Sequence, residues 1–402
     1  MIISASVFHF SSVALQFALL FLLPRQFGLD GFTQYMEVTA LGWICSVFIT
    51  RNANDGVSYY TPQYQNTITL RSDVLRLISI FLARALVIAL VTSLAAAAFL
   101  ELRTVVICLF GVLLSFSRTT FDVLYRVGCD IQESKYWPAV YPTFMNIMPI
   151  VVLLFAFLLN WTAAEYILTL IVASILSVAF IFLMIFWRFQ SVVPAGKDES
   201  RIGLLFKYGE GRIPIILTTT LLLGAPVLLS DLMGATTEET AQLAAMLAVL
   251  RVLSIIGQVA SYVGVPKLVR LSIEDRTRFL SAAMSTLMLT IVFGVSVGIV
   301  GTVTIETMLF FWIGTPVLDL NIKVAFGIGV AAIIVVYVVR CLADATSEDA
   351  VLAKIYWLGA VFFIAFVLLG CDLFVSLVVA VSVIAIFSSR ALHLMWMSVA
   401  QK

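Results

Sequence analysis

Twelve apolar runs follow one another along this chain, and its basic residues crowd into every second gap between them. A helix needs about 20 apolar residues to cross about 30 Å of hydrocarbon. Runs of that order lie near 4–24, 36–50, 77–99, 104–122, 138–159, 164–187, 212–233, 241–265, 279–302, 323–341, 355–371 and 374–396. The second is interrupted by polar residues at its far end, and the eleventh is short. Backbone groups in lipid must be satisfied within the segment, so each run is expected to be a helix. Composition agrees. The chain is 62% hydrophobic and 12% charged, whereas soluble domains run about 45–50% apolar and about 25% charged. The fold class expected is an all-α polytopic membrane protein of about 12 transmembrane helices.

The gaps carry the orientation. One set holds Arg51, Arg71 and Arg76; Arg118, Arg126 and Lys135; Arg188, Lys197, Arg201, Lys207 and Arg212; Lys267, Arg270, Arg276 and Arg278; Arg340 and Lys354; Arg390 and Lys402. The other set holds Arg25, Arg103 and Lys323, while Arg84 and Arg251 fall inside runs. Lysine and arginine accumulate in cytoplasmic loops, so the N- and C-termini are both expected inside. The opening residues carry no Lys or Arg ahead of the apolar run, and that run is long for a signal peptide. It is therefore expected to stay as the first membrane helix.

The segment 188–211 is the longest cytoplasmic linker and divides the chain into lobes at 1–187 and 212–402, six helices each. Gly28 and Pro62 follow the first and second spans. Gly234 and Pro266 follow the seventh and eighth, in the same order and at nearly the same spacing. An even number of spans per half gives repeats of the same orientation, related by an axis along the membrane normal.

Little points to catalysis. No P-loop, GxGxxG or HExxH is present, the loops are short, and the only histidines are His9 and His393. The five cysteines are scattered without a CxxC and read as apolar fillers. A net charge of +1 argues against a nucleic-acid partner. No cofactor is expected beyond coupling to a proton, sodium or the membrane potential.

The residues that topology does not explain are the candidates for function. Arg251 lies near the middle of the eighth span, where an arginine costs at least about 2.5 kcal/mol to insert. It is expected to face a wet cavity or an acidic partner, as an anion ligand or as a structural ion pair. Gln258, two turns on, shares its face. Arg84, about 10 Å inside the third span, either faces a cavity or snorkels to the interface. Arg51 and Asp55 are spaced to pair on one helical face, among tyrosines that form either an interfacial belt or a sugar-binding mouth. Arg118, Asp122 and Arg126 form a self-neutralising ladder. Gly224 and Pro226 break the seventh span, for gating or for packing. Glu37 and Asp231, with Asp55, are the acidic candidates for coupling, although an exposed carboxylate would be ordinary near a span end. Gly294 and Gly298 form a GxxxG that signals close helix packing.

Three segments carry a resemblance. Arg25-Gln26-Phe27-Gly28-Leu29-Asp30-Gly31 resembles the R-x-F-G-x-x-G signature of bacterial lipid-linked oligosaccharide flippases, in the multidrug/oligosaccharidyl-lipid/polysaccharide exporter superfamily. Tyr208 to Pro214 is similar to the start of their second half, and Arg251 to Lys267 to their eighth helix. The resemblance implies two six-helix lobes around a cavity open alternately to either side. It implies an undecaprenyl-diphosphate-linked oligosaccharide as substrate in the bacterial inner membrane, for O-antigen or exopolysaccharide synthesis. It places Arg25, Arg51 and Arg251 among cavity arginines, with no counterpart for Arg84. Partners then include membrane lipid, a polysaccharide polymerase and glycosyltransferases. The chain lacks the two further helices usual in the peptidoglycan-precursor branch. A diphosphate suits arginine, which contacts phosphate bidentately. The alternatives are a cation-coupled multidrug exporter, a non-transporting scaffold of an assembly complex, and a membrane transferase.

Overall fold

The structure is a computed structural model that describes residues 2–51, 53, 57, 67–99, 102–132, 137–189, 200–253, 276–314, 318–344 and 349–400. Those residues form helices: α1 (Ile2–Thr50), α2 (Thr67–Phe99), α3 (Leu102–Gln132), α4 (Trp137–Leu159), α5 (Ala163–Phe189), α6 (Ile202–Glu210) and α7 (Ile213–Leu232). They continue with α8 (237–253), α9 (Arg276–Ile313), α10 (Leu320–Asp344), α11 (Asp349–Leu368) and α12 (Leu373–Ala400). Eight of the described segments are long and apolar enough to cross a membrane by themselves.

The first two expected spans, both covered by the label α1, are two helices that meet in a kink at Gly28, where φ is 70° and ψ −175°. A non-glycine residue resists that backbone region. Gly28 has open space around it, so the requirement is conformational and not one of crowding. Gly234, its counterpart in the sequence repeat, has φ 76°. The expected 279–302 span is also longer than it reads. The apolar part of α9 runs from Arg278 to Ile313, about 54 Å at 1.5 Å per residue, because Thr302, Thr304 and Glu306 do not interrupt the helix.

Two compact units emerge. One comprises Ile3–Leu15 and Gln26–Leu217, and the other Gln16–Arg25 and Thr218–Lys402. The core of the first joins Cys45 and Ile49 of α1, Leu77 and Phe81 of α2, and Phe121 and Leu124 of α3. Within it α1 and α3 meet at Gly42 and Gly111, where a methyl on Gly42 would stand 3.0 Å from the Gly111 carbonyl oxygen. In the second unit α9 and α10 cross at Gly294, Gly298 and Gly327. There a methyl on Gly298 would overlap the Gly327 carbonyl oxygen. The GxxxG is thus spent on packing inside the chain.

Part of the expected linker is structured. Ile202–Glu210 forms the short helix α6, whose Leu205 is buried in the core of the first unit. Its period hides in a segment with basic and glycine residues on its other faces. Its start is capped from elsewhere: Asp73 of α2, 3% exposed, accepts the Ser200 hydroxyl at 2.7 Å and the Arg201 N–H at 2.8 Å.

Candidate functional site

Arg251 sits 14 residues into α8, about 21 Å from its start. It is 7% exposed, in a stretch where Leu243–Val252 are all buried. Its Nε and Nη2 both donate to the Leu223 carbonyl of α7, at 3.2 and 2.5 Å. A proline lies three residues further along α7. Pro226 has no N–H and leaves the Leu222 carbonyl without its helical donor. The helix runs unbroken from Ile213 to Leu232, and Arg251 brings two donors to the turn from which proline withholds one.

At α1 a side chain reaches the proline-orphaned carbonyl itself. Pro24 lies within the helix and withholds an N–H from the carbonyl of Leu20, four residues back. Trp312 of α9 fills the gap, its indole N–H donating to Leu20 O at 2.5 Å. Arg25, the next residue, is exposed. Its guanidinium donates to Phe311 O at 3.3 Å and lies 3.9 Å from the centre of the Phe21 ring. Phe311 is in the last turn of α9, where carbonyls lack helical donors and a cation is favoured.

Arg84, Arg51 and Glu210 form a second charged group, inside the first unit. Arg84 turns onto protein: Nη1 donates to Ile49 O at 3.1 Å, in the last turn of α1, and the guanidinium stacks over Phe206 of α6 at 4.6 Å. It lies within electrostatic reach of both Arg51 and Glu210. Arg51 has φ 45°, a conformation costly for a residue with a Cβ. The helix α1 ends at Thr50, just before it. The partner Arg51 finds is Glu210 of α6, at 3.6 Å, with the two side chains 54% and 51% exposed. Arg212 stacks over Tyr208 at 4.8 Å. Nothing in the sequence signals this group, because Glu210 lies more than 100 residues beyond both arginines and reaches Arg51 only through α6.

Glu37 was expected near a span end, where exposure is ordinary. It is 3% exposed, on the second half of α1. The Tyr35 ring beside it lies 6.0 Å from that of Tyr166, which is fully buried and donates its hydroxyl to Pro149 O. Lys323, expected as an ordinary loop residue, forms an ion pair with Glu306 of α9. Asp55 and Gln258 lie outside the described residues. Asp231 is in the last turn of α7, with its side chain also outside them. The structure therefore gathers Arg51 with Arg84, and leaves Arg25 and Arg251 each on the carbonyls of a different helix.

No family model matches the sequence, and no curated protein is significantly similar to it. Solved structures are similar over nearly the whole chain. The eukaryotic MATE transporter AtDTX14 aligns with 97% of this chain and 94% of its own, at 14% identity and a TM-score of 0.64. An outward-facing multidrug resistance MATE transporter of the MOP superfamily covers 99% and 94%, at 10% identity and 0.64. The lipid II flippase MurJ, in an inward closed conformation, covers 97% and 87%, at 14% identity and 0.56. This chain has the helical fold of those membrane transporters. At such identities the likeness concerns the fold alone.

Proposed function

We propose that this chain is an alternating-access flippase. It moves an undecaprenyl-diphosphate-linked oligosaccharide across the bacterial inner membrane for polysaccharide synthesis. The observation that carries the reading is Arg251, a guanidinium held in the interior of a unit, 14 residues into α8. Burying such a charge is costly, and function is the usual reason it is retained. Arg84 adds a second guanidinium within a span. A diphosphate needs cations along its path, and the fork of arginine fits phosphate oxygens. The fold shared with a lipid II flippase is consistent with a lipid-linked anion.

In this reading both termini face the cytoplasm, and a polymerase and glycosyltransferases supply and consume the cargo. The second reading, a cation-coupled multidrug exporter, is favoured by one residue. Glu37 places a carboxylate in the interior of the first unit. Reconstituted vesicles separate the two. The wild type is expected to flip a fluorescent polyprenyl-diphosphate oligosaccharide. R251A is expected to slow it by about thirtyfold or more, as for losing a charge-assisted contact of about 2 kcal/mol. In cells R251A should insert normally and lose surface polysaccharide. Full flipping by R251A, or export of a cationic dye that E37Q abolishes, would turn the assignment to the second reading.

A further inference from the structure

We infer that Glu210 is a tethered counter-ion: it holds the place of an anionic group beside Arg51 and Arg84 and gives that place up to the diphosphate of the cargo. This inference rests on the proposed cargo. Three elements of the first unit bring the group together, the end of α1, the middle of α2 and the end of α6. Arg84 commits Nη1 to Ile49 O and one face of its guanidinium to the Phe206 ring. Among the described residues Arg51 has one ion-pair partner, the Glu210 carboxylate, 3.6 Å from Nη1. A guanidinium carries five N–H donors in a planar fork, so both arginines keep donors for a ligand. The group holds two cations to one carboxylate. Arg51 and Glu210 are each about half exposed, so an anion can reach them.

Glu210 is poorly placed for its own helix. It closes α6, where the macrodipole favours a cation and opposes a carboxylate. The arginines are the reverse case, since Arg84 donates to a last-turn carbonyl of α1 and Arg51 follows Thr50 directly. The carboxylate is therefore placed for the arginines and not for α6. It is also loosely held. A separation of 3.6 Å lies beyond hydrogen-bond range, and an exposed ion pair adds little stability. The backbone beneath it is fixed by contrast. Leu205 and Gly209 are buried, and Asp73 caps the far end of the helix through Ser200 and Arg201. Exchange with a ligand thus needs only the Glu210 side chain to turn away while α6 stays in place. A diphosphate makes charge-assisted, bidentate contacts with arginine, which outcompete one loosely held carboxylate. The carboxylate remains tethered beside the site and returns as the diphosphate leaves. Glu210 then weakens cargo binding and speeds cargo release.

The test uses the full chain in phosphatidylcholine nanodiscs, whose zwitterionic lipid adds no anionic headgroup. The probe is geranylgeranyl diphosphate, with geranylgeraniol as the control without phosphate. E210Q keeps the shape of the side chain and removes its charge. It is expected to bind the diphosphate about two- to sixfold more tightly, the range for removing an exposed ion pair that competes with a ligand. E210D should bind as the wild type does. The double variant R51Q/R84Q should bind more weakly than the wild type, and E210Q added to it should change nothing. Hydrogen exchange of the 201–205 amides should be the same in E210Q and the wild type. In reconstituted vesicles E210Q is expected to lower both the half-saturating concentration of a fluorescent polyprenyl-diphosphate oligosaccharide and the saturated flipping rate. Slower release lowers the two together, whereas a merely structural defect would lower the rate alone. Unchanged or weaker binding by E210Q, an equal gain in the R51Q/R84Q background, faster exchange in α6, or a saturated rate that does not fall overturns the counter-ion role and leaves the proposed function standing. Failure of the wild type to bind the diphosphate in preference to the alcohol overturns both.

Discussion

Asp73 shows how a single carboxylate decides the fate of a connecting segment. Its apolar neighbours Val74 and Leu77 are buried in the core of the first unit, and the carboxylate is carried inward with them. Burying a polar side chain is tolerated only when hydrogen bonds replace those to water. The start of α6 supplies them through Ser200 and Arg201, and in return gains the cap that its own N-terminal residue does not provide. Replacing one partner strands the other, which costs about 1–3 kcal/mol. D73A is therefore expected to loosen α6, seen as faster hydrogen exchange of the 201–205 amides together with a lower melting temperature. D73N keeps an acceptor oxygen for one of the two donors and should fall between the wild type and D73A. Equal exchange in all three proteins would remove the capping role.

Whole elements were legible where lipid imposes a single rule and hidden where packing chooses among equals. Long apolar runs announced α2, α3, α5 and α9 to α12 because nothing but a helix satisfies a backbone in hydrocarbon. Their ends were less visible, since an apolar helix continues past the bilayer without a signal, as α9 does. The helix α6 went unread because nine residues with one buried apolar face resemble a loop. The buried arginine could be located in the sequence, but its partner, a backbone carbonyl, leaves no trace there. The pairing of α9 with α10 lies between these cases. GxxxG predicted close approach and not the partner, which Gly327 supplies. Between lipid-embedded helices van der Waals packing does much of the holding, so a methyl group at the crossing acts directly on the contact. G298A forces its methyl against backbone and is expected to destabilise the second unit by about 1–3 kcal/mol. At Gly301 the nearest obstacle is the Phe326 ring, at 3.2 Å, which can yield. G301A should therefore be the milder of the two in a detergent-unfolding titration, and the reverse order would place the close contact elsewhere.

At the scale of the molecule, some features recur between the two halves of the expected six-plus-six layout. Gly28 and Gly234 share a left-handed φ, and Pro24 and Pro226 both lie inside helices that precede them. Burial follows the same order. The spans of α2 and α9, third and ninth in the series, are each 22% buried. Those of α3 and α10, fourth and tenth, are 50% and 67% buried. Repeats of six spans require both halves to enter the membrane from the same side, which ties the orientation of one half to that of the other. The positive-inside rule then predicts the orientation of the whole chain. The turns that close the odd-numbered spans, at Asn160, Gly234, Gly314 and Gly370, should face outward. Alkaline phosphatase fused after any of these four is expected to be active, and a fluorescent protein fused after Lys402 to be bright. Moving basic residues tests the cause as well as the arrangement. Replacing Lys197, Arg201 and Lys207 with glutamine weakens the charge bias of one gap expected inside while five others keep theirs, so the fusion pattern should persist. Active phosphatase after Lys402 in the unmodified chain would invert the topology, and with it the side from which a cytoplasmically made cargo could enter.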